Sequence, residues 1–490
     1  MAPTLNIGLF GIGLDTYWDQ FTGLKQRLEG YLREIHDRLT ALHPHVVNAG
    51  LVDNVDKAFE AGSLFRRSEV DLVFLYVSTY ALSSTVLPVV QRIGVPVIIL
   101  NLSPGVSIDY DAFNAMTDRT QMTREWLAFC SPCPVPEIAN VFRRVGIRFH
   151  SVTGMLRDDP VVDREIAEWV AAAKVKHALA FNRLGCMGHY YSGMLDIYTD
   201  LTQQYAAFGG HIELIEVEEL AMRRRRVDAA EAAKRVALFY EMFEVGPDCS
   251  SAELEKAAVT SVALDRLVSD YGLGSLAYYY KGTGNVSNEE AISSIIPGNS
   301  LLTARGIPVA GEYEIKNAQA MKIMDCFGAG GSFTEYYAMD FSDDVVLMGH
   351  DGPGHIAIAA GKAKVRPLRV YHGKVGSGLS VEMSVRNGPV TLLSVVERSG
   401  LSAVGRSELS APGRSGGGLF LLVAEGESVA GPILQIGNTN SRYRFPMGAR
   451  EFVNRWNSHG PAHHCAVGVG HMASRIDKLG ALLGMEVVKI

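Results

Sequence analysis

Cysteine is scarce: six residues in a chain of 490 (Cys130, Cys133, Cys186, Cys249, Cys326 and Cys465). That is too few for a disulfide-built fold, and it fits reduced thiols and a cytoplasmic location. Cys130 and Cys133 form a CxxC inside SPCPVP, but no second pair completes a metal knot, so a Pro-rich loop accounts for them. No apolar run is long enough to cross a bilayer, and the first twenty residues lack the basic start of a secretory leader. Positive charge is not in excess either, since 46 Lys and Arg against 53 Asp and Glu leave a net charge of −7. This excludes a general affinity for nucleic acid or for an anionic membrane. A dinucleotide fingerprint is missing: Gly8, Gly11 and Gly13 are spaced GxxGxG, not GxGxxG. SGGGLF at 415–420 reads as a Gly-rich hairpin, because the following helix and Lys of a phosphate cradle are absent. There is no internal repeat.

What remains is a chain that is 47% hydrophobic and 20% charged, with the balance of a globular enzyme and a length that implies two to four domains. Its first part alternates strands and helices. LNIGLFGIG, VVNAGLV, DLVFLYVS and VPVIILNL read as four buried strands, separated by helices over 20–42, 55–67 and 81–93. A helix over 161–173 closes this part. The pattern predicts a doubly wound parallel sheet. A second α/β unit follows, with ALAFN as a strand, Gly185 and Gly188 in a turn, Ser192 as a helix cap, HIELIEVEEL as a strand and a helix over 250–271. The Arg223–Arg226 run reads as an ion-paired face. Beyond Gly328 helical periodicity nearly vanishes until His471. Short strands, LSAVGRSEL among them, then predict an antiparallel barrel or sandwich that ends in a helix over 472–483. The expected organisation is α/β, with two doubly wound parallel-sheet domains (1–172 and 173–328) followed by a C-terminal antiparallel β-barrel-like domain (329–490).

Chemistry concentrates between Gly306 and His355. Glu312 follows the apolar run IPVAG where a helix begins, Glu335 follows the Gly-rich turn GAGGSF, and His350 ends the strand VVLMGH. PAHH, far downstream, offers His463 and His464. Two carboxylates and two imidazoles make an oxygen and nitrogen donor set suited to Mn²⁺, Co²⁺ or Mg²⁺ rather than to a thiolate zinc site. His463, His459 and His355 are alternative donors. Taken alone, Glu312 could equally be a first-turn carboxylate facing a helix dipole. Tyr17, Trp18 and Gln20 place a flat aromatic beside an amide, which suits a polyhydroxylated sugar and equally suits stapling a helix to a sheet. His189, Tyr279 and Lys281, near strand ends, are further candidates for substrate contact.

GEYEIKNAQAMKIM, GGSFTEYY, LMGH and PAHH, in that order, resemble the L-arabinose isomerase family, where the corresponding elements run AGE, SFxE, GxH and GAHH. LGSLAYYYKGTGN resembles the strand before them in that family. The resemblance implies Mn²⁺ held by Glu312, Glu335, His350 and His464, with the two glutamates also acting as acid and base. It implies a homotrimer or homohexamer acting on a small sugar. Two departures stand out. The family's His-Gly-Gly-Arg-Glu element is replaced by TQMTREWLAF, where only Arg124 and Glu125 match, and its Gln-His-Leu-Tyr element by LDTYWDQF. The metal chemistry looks intact and the sugar-recognition residues do not. The expected activity is therefore aldose–ketose isomerisation of a pentose, hexose or related sugar through an enediol. A sugar-binding protein on the same scaffold and a metal-dependent epimerase or lyase are the alternatives.

Overall fold

The computed structural model describes residues 4–369, 377–398 and 418–490, and the chain divides into two compact units, 1–177 and 178–490. In the first unit the alternation is β1 (Ile7–Ile12), α1 (Leu24–Leu42), β2 (Val46–Val52), α2 (Val55–Arg67), β3 (Leu72–Val77), α3 (Ser83–Val90) and β4 (Val97–Ser103). After these come α4 (Tyr110–Asn114), α5 (Arg119–Ala128), α6 (Val135–Arg144), β5 (Phe149–Met155) and α7 (Pro160–Ala180). The sheet runs β2-β1-β3-β4-β5, parallel throughout. Every residue of β1 and β3 is buried, which is why these strands read as continuous apolar runs rather than as alternation. Leu24, Leu28, Tyr31, Leu32, Ile35 and Leu39 form the buried stripe of α1 at steps of three and four.

The fifth strand was not expected from the sequence. FHSVTGM follows a Pro-rich stretch, and only Val152 of it is fully buried. Asp159 fastens this strand to α7. Its Oδ2 accepts from Met155 N (2.9 Å) at the strand end, while Oδ1 accepts from Val161 N (3.0 Å) and Val162 N (3.2 Å) in the first helical turn. Pro160, whose missing N–H costs nothing at the first helical position, follows directly.

The second unit begins with a parallel sheet ordered β10-β9-β6-β7. Its elements are β6 (Arg183–Gly188), α8 (Leu201–Phe208), β7 (His211–Ile215), α9 (Val217–Arg224), α10 (Ala229–Met242), β8 (Glu244–Val245), α11 (Ser251–Tyr271), β9 (Ser275–Tyr279), α12 (Val286–Ser293), α13 (Ile296–Ala304), β10 (Val309–Ala310) and α14 (Ile315–Cys326). ALAFN is not a strand: its alanines continue α7, and the strand is the next segment, which contains Gly185. The cap of α8 is Asp200, accepting from Thr202 N and Gln203 N, rather than Ser192. The arginine run is ion-paired through Arg223 with Asp270 and Glu219 and through Arg224 with Glu290.

The C-terminal strands are β11 (Gly330–Asp340), β12 (Val345–His350), β13 (Lys364–Arg369), β14 (Ser377–Glu382), β15 (Gly388–Arg398), β16 (Gly418–Val429), β17 (Thr439–Arg444), β18 (His464–Val469) and β19 (Val487–Lys489). Pairing runs β15-β18-β11-β12-β17-β16, and a further β15–β16 pairing closes the ring, so six antiparallel strands form a barrel. β19 adds in parallel beside β16. A small β14-β13-β8 sheet ties the central segment to this region. The expected strand LSAVGRSEL and the Ser415–Gly417 part of the expected hairpin lie outside the described residues.

Two helices accompany these strands, α15 (Ala449–Ser458) and α16 (Ala473–Leu483). The second matches the expected final helix, while α15 was missed. Its capping contact comes from far away, with Asp344 Oδ1 accepting from Ala449 N (2.8 Å). None of the described helices is long and apolar enough to cross a membrane.

Asp159→Ala is expected to destabilise the protein by about 1–2 kcal/mol, a typical loss for a helix cap, with Asp159→Asn intermediate because it keeps one acceptor oxygen. Backbone N–H donors hold the Asp159 carboxyl below its ordinary range. Its contribution is present above the unfolded-state pKa and is lost as pH falls through the lower folded value. Denaturant midpoints at pH 7 and pH 3 measure both effects.

Candidate metal centre

β11 lies between β18 and β12, and Glu335 is directly opposite His464 on one side and Gly349 on the other. Antiparallel partners directly opposite share a face, so Glu335 and His464 are brought together by register alone, with His350 one residue past Gly349. The Phe333 ring, two residues before Glu335 and buried, packs against both imidazoles, 4.4 Å from His350 and 4.3 Å from His464 by centroid.

The fourth group arrives from the parallel sheet. β10 ends at Ala310, and the chain turns through Glu312 and Tyr313, both left-handed (φ 56° and 63°) although neither is glycine. Such conformations cost of order 1–3 kcal/mol each and persist only where surroundings enforce them. Here Tyr313 N donates to Tyr278 O (3.0 Å) and Glu314 N to Gly311 O (3.0 Å). The Tyr313 ring meets Tyr190 edge-on at 4.9 Å. The turn aims the Glu312 carboxylate at the barrel residues.

The result is a tight cluster. Glu312 lies 3.9 Å from His350 Nε2, 3.5 Å from His464 Nε2 and 3.9 Å from His463 Nε2, while Glu335 Oε2 lies 4.0 Å from His464 Nε2 and 3.9 Å from His463 Nε2. Donor atoms of Glu312, His350 and His464 fall within 4.8 Å of one another, and so do those of Glu335, His463 and His464. Donors bonded at about 2 Å to one cation lie no more than about 4–5 Å apart. Glu312 Oε2 and His464 Nε2 are buried and make no hydrogen bond, an arrangement that costs roughly 1–3 kcal/mol per group unless something else satisfies it. The donor set and its unsatisfied atoms fit a divalent cation. Cys465 contributes no thiolate, because it alternates to the other face and packs in the core.

Two carboxylates that the sequence reading did not single out hold the histidines. Glu314, fully buried, lies 2.5 Å from His464 Nδ1. When Nδ1–H donates to Glu314, Nε2 presents its lone pair to the cluster. Asp196 Oδ2 lies 2.5 Å from His463 Nδ1 and also accepts from His463 N (3.0 Å). The Asp196 carbonyl in turn accepts from Lys316 Nζ (2.5 Å). The local signal for Glu314 was its place two residues after Glu312; Asp196, 267 residues from its partner, left none.

Electrostatics follow burial. Desolvation, with nearby Glu312 and Asp351, pushes Glu335 up to about 7. Burial drives Glu314 up to about 8 and, with help from His463, His464 down to about 3. Burial works to lower His463, but the Asp196 hydrogen bond and the surrounding carboxylates raise it overall.

A cavity of about 380 Å³ opens onto the cluster, lined by Glu312, Glu335, His350 and His463, with Tyr191, Tyr278, Tyr280, Lys281, Tyr337, Asp351 and Asn438. Lys281 is therefore where a substrate contact would be. Tyr279 is not among the lining residues: it packs against Tyr191 and His189, and its neighbours Tyr278 and Tyr280 take the lining positions. His189 is exposed, with its ring nitrogen at its own neighbour's carbonyl, Tyr190 O. His355 is buried behind Gly330 and held down to about 4 by desolvation. Neither it nor His459 belongs to the cluster. Tyr17, Trp18 and Gln20 are in the first unit. There Trp18 Nε1 donates to Asp53 (2.9 Å), Tyr17 packs on Phe21, and Gln20 Nε2 donates to Thr16 O (2.7 Å), contacts of the stapling kind.

No protein-family model matches the chain. Over 371 residues it is 24% identical to an L-arabinose isomerase from Nocardioides sp. (strain ATCC BAA-499 / JS614), an alignment that covers 72% of this chain and 68% of that one. The relationship is distant. It supports descent from a common ancestor with that isomerase, and the divergence agrees with the replaced elements near the N-terminus.

In metal-free protein, stability is expected to fall as pH rises from about 6.5 to 8. Glu335, Glu314 and His463 all have folded pKa values above their unfolded ones, so what they contribute is lost as pH rises through the folded values. His464, shifted the other way, is already neutral in both states above about 6.5. The expected fall is roughly 1–2 kcal/mol, and Glu314→Gln should remove much of it. Chemical denaturation in chelator across this range measures it.

Proposed function

We propose that the protein is a metal-dependent aldose–ketose isomerase acting on a pentose, hexose or related sugar through an enediol, with substrate contacts that differ from those of L-arabinose isomerase. The observation that carries this is the pair of donor triads, Glu312 with His350 and His464 and Glu335 with His463 and His464, beside a cavity that Glu312, Glu335, His350 and His463 line, joined with the distant relationship. Glu312, Glu335, His350 and His464 would hold Mn²⁺, with Co²⁺ or Mg²⁺ as alternatives, and the ion would supply Lewis-acid polarisation of the sugar's carbonyl and adjacent hydroxyl.

The protein's own residues supply the proton transfers. A positioned carboxylate can remove a proton from the carbon next to a carbonyl and return it to its neighbour, and Glu335, which lines the cavity, would take that role. Glu312, held by its left-handed turn, would carry the hydroxyl proton. Glu314 and Asp196 fix the two histidine rings. The buried Phe333 packs against the His350 and His464 rings, and Tyr278 lines the cavity beside them. A cytoplasmic location and a trimeric or hexameric assembly belong to the same proposal, and sedimentation tests the assembly.

Mn²⁺ is expected to raise the melting temperature of the wild type by several degrees, as about 2.7 kcal/mol of linkage at a hundredfold excess over Kd requires. Glu335→Ala should lose most of that shift and lower kcat/KM by roughly 10²- to 10⁴-fold. Ketose formation in a screen of aldoses separates isomerisation from epimerisation or lysis. Absence of any Mn²⁺ shift in the wild type would rule out the metal centre.

A further inference from the structure

The cavity is divided by element. Its polar side comes from the barrel: Glu335 and Tyr337 on β11, His350 and Asp351 at the end of β12, Asn438 before β17, and His463 before β18. These groups are already organised, since Asn438 Nδ2 donates to Tyr337 Oη (2.8 Å) and to Asp351 Oδ1 (2.5 Å). Away from the barrel strands four aliphatic side chains form an apolar patch, Ile292 on α12, Ile296 on α13, Leu368 on β13 and Leu379 on β14, with Glu289 and Ser293 of α12, Tyr280 and Lys281 also in the lining. These elements pack as one surface, so closely that a Cβ at Gly378 would stand 1.8 Å from Ser293 O. Ile436 extends the apolar lining to the exterior, at 54% exposure. Carboxylates also outnumber basic groups in the cavity, with Glu289, Glu312, Glu335 and Asp351 against Lys281 and His463.

Each part of this lining disfavours a class of ligand. Away from the metal-binding groups the charged lining residues are Glu289, Asp351 and Lys281, so no cluster of cationic groups is there to hold an anionic phosphate. A hydroxyl set directly on the isoleucine and leucine patch would exchange water partners for aliphatic carbon, whereas a methyl there gains by leaving water. We propose that this cavity takes a neutral aldose whose end remote from the reacting carbons is apolar, the simplest such substrate being a 6-deoxyhexose. The inference rests on the isomerase reading to decide which end of the sugar faces Glu312 and Glu335; the apolar wall itself is independent of it.

The test uses matched pairs. Galactose, mannose and glucose, in both D and L forms, are compared with their 6-deoxy counterparts for turnover by the Mn²⁺-loaded protein. Calorimetry then measures binding of the corresponding hexitols and 6-deoxyhexitols, which have no carbonyl and cannot react. In the pair that is turned over best, the 6-deoxy member is expected to have a kcat/KM higher by roughly tenfold or more, chiefly through KM, and the 6-deoxyhexitol should bind more tightly by a similar factor. Ile436→Ser, at an exposed position that leaves folding intact, and Ile292→Thr should each narrow that preference. Equal or better use of the hydroxylated member, in turnover or in binding, would overturn the inference while leaving the isomerase reading in place. Preferential binding of the 6-deoxyhexitol with no aldose converted would overturn the isomerase reading and keep the apolar subsite. Failure to bind either polyol or to convert any of these aldoses would overturn the inference, and failure to convert pentoses as well would overturn the isomerase reading.

Discussion

The hydrogen bond between Glu314 and His464 is the contact on which the site's construction depends. Glu314 stands at the start of α14 and His464 at the start of β18, so the bond joins the parallel-sheet half of the second unit to its barrel. Both partners are buried. A carboxyl removed from water needs a partner to remain in place, and this partner is also the residue whose second nitrogen faces the cluster. Moving α14 against the barrel would therefore leave an unsatisfied buried carboxyl and misaim an imidazole at once.

α14 explains why such precision is available. It is buried on nearly every side and packs against β9, β10, β11, β15 and β18. Its polar residues are held inside: Lys316 reaches the Asp196 carbonyl and Lys322 the Gly306 carbonyl. A helix enclosed in this way has little freedom to shift, because protein interiors are packed too densely to deform continuously. The strained turn at Glu312 and Tyr313 sits immediately before it, where rigid neighbours on both sides can keep two left-handed residues in place.

The sequence revealed what is written locally and hid what is closed over distance. The strands of the first sheet were legible because burial on both faces makes them unbroken apolar runs. Glu312, Glu335, His350 and the HH pair were legible because each follows an apolar strand or a glycine turn. β5 was hidden by its mostly half-exposed surface. α15 was hidden because Asp344 caps it from more than a hundred residues away, although Ala449, Phe452 and Trp456 do keep helical spacing. Asp196 could not be paired with His463 before the fold was known, and the division of the cavity into polar and apolar walls belongs to no single segment. Tyr17 and Trp18 left two readings open from the sequence, sugar contact and stapling of a helix, and in the first unit they make contacts of the stapling kind.

Glu314 and His464 are 150 residues apart in the chain, and Glu335, His350 and His464 stand on the neighbouring strands β11, β12 and β18, which must pair before they meet. The full cluster needs α14 and its preceding turn to be docked on those strands as well. Contacts of such long sequence separation form late, after their loop-closure entropy has been overcome. A cation held there can therefore do nothing to hasten folding. It acts on the finished molecule, as a clasp between the turn at Glu312 and three neighbouring barrel strands, and its kinetic effect is to slow unfolding while the rate of refolding stays the same.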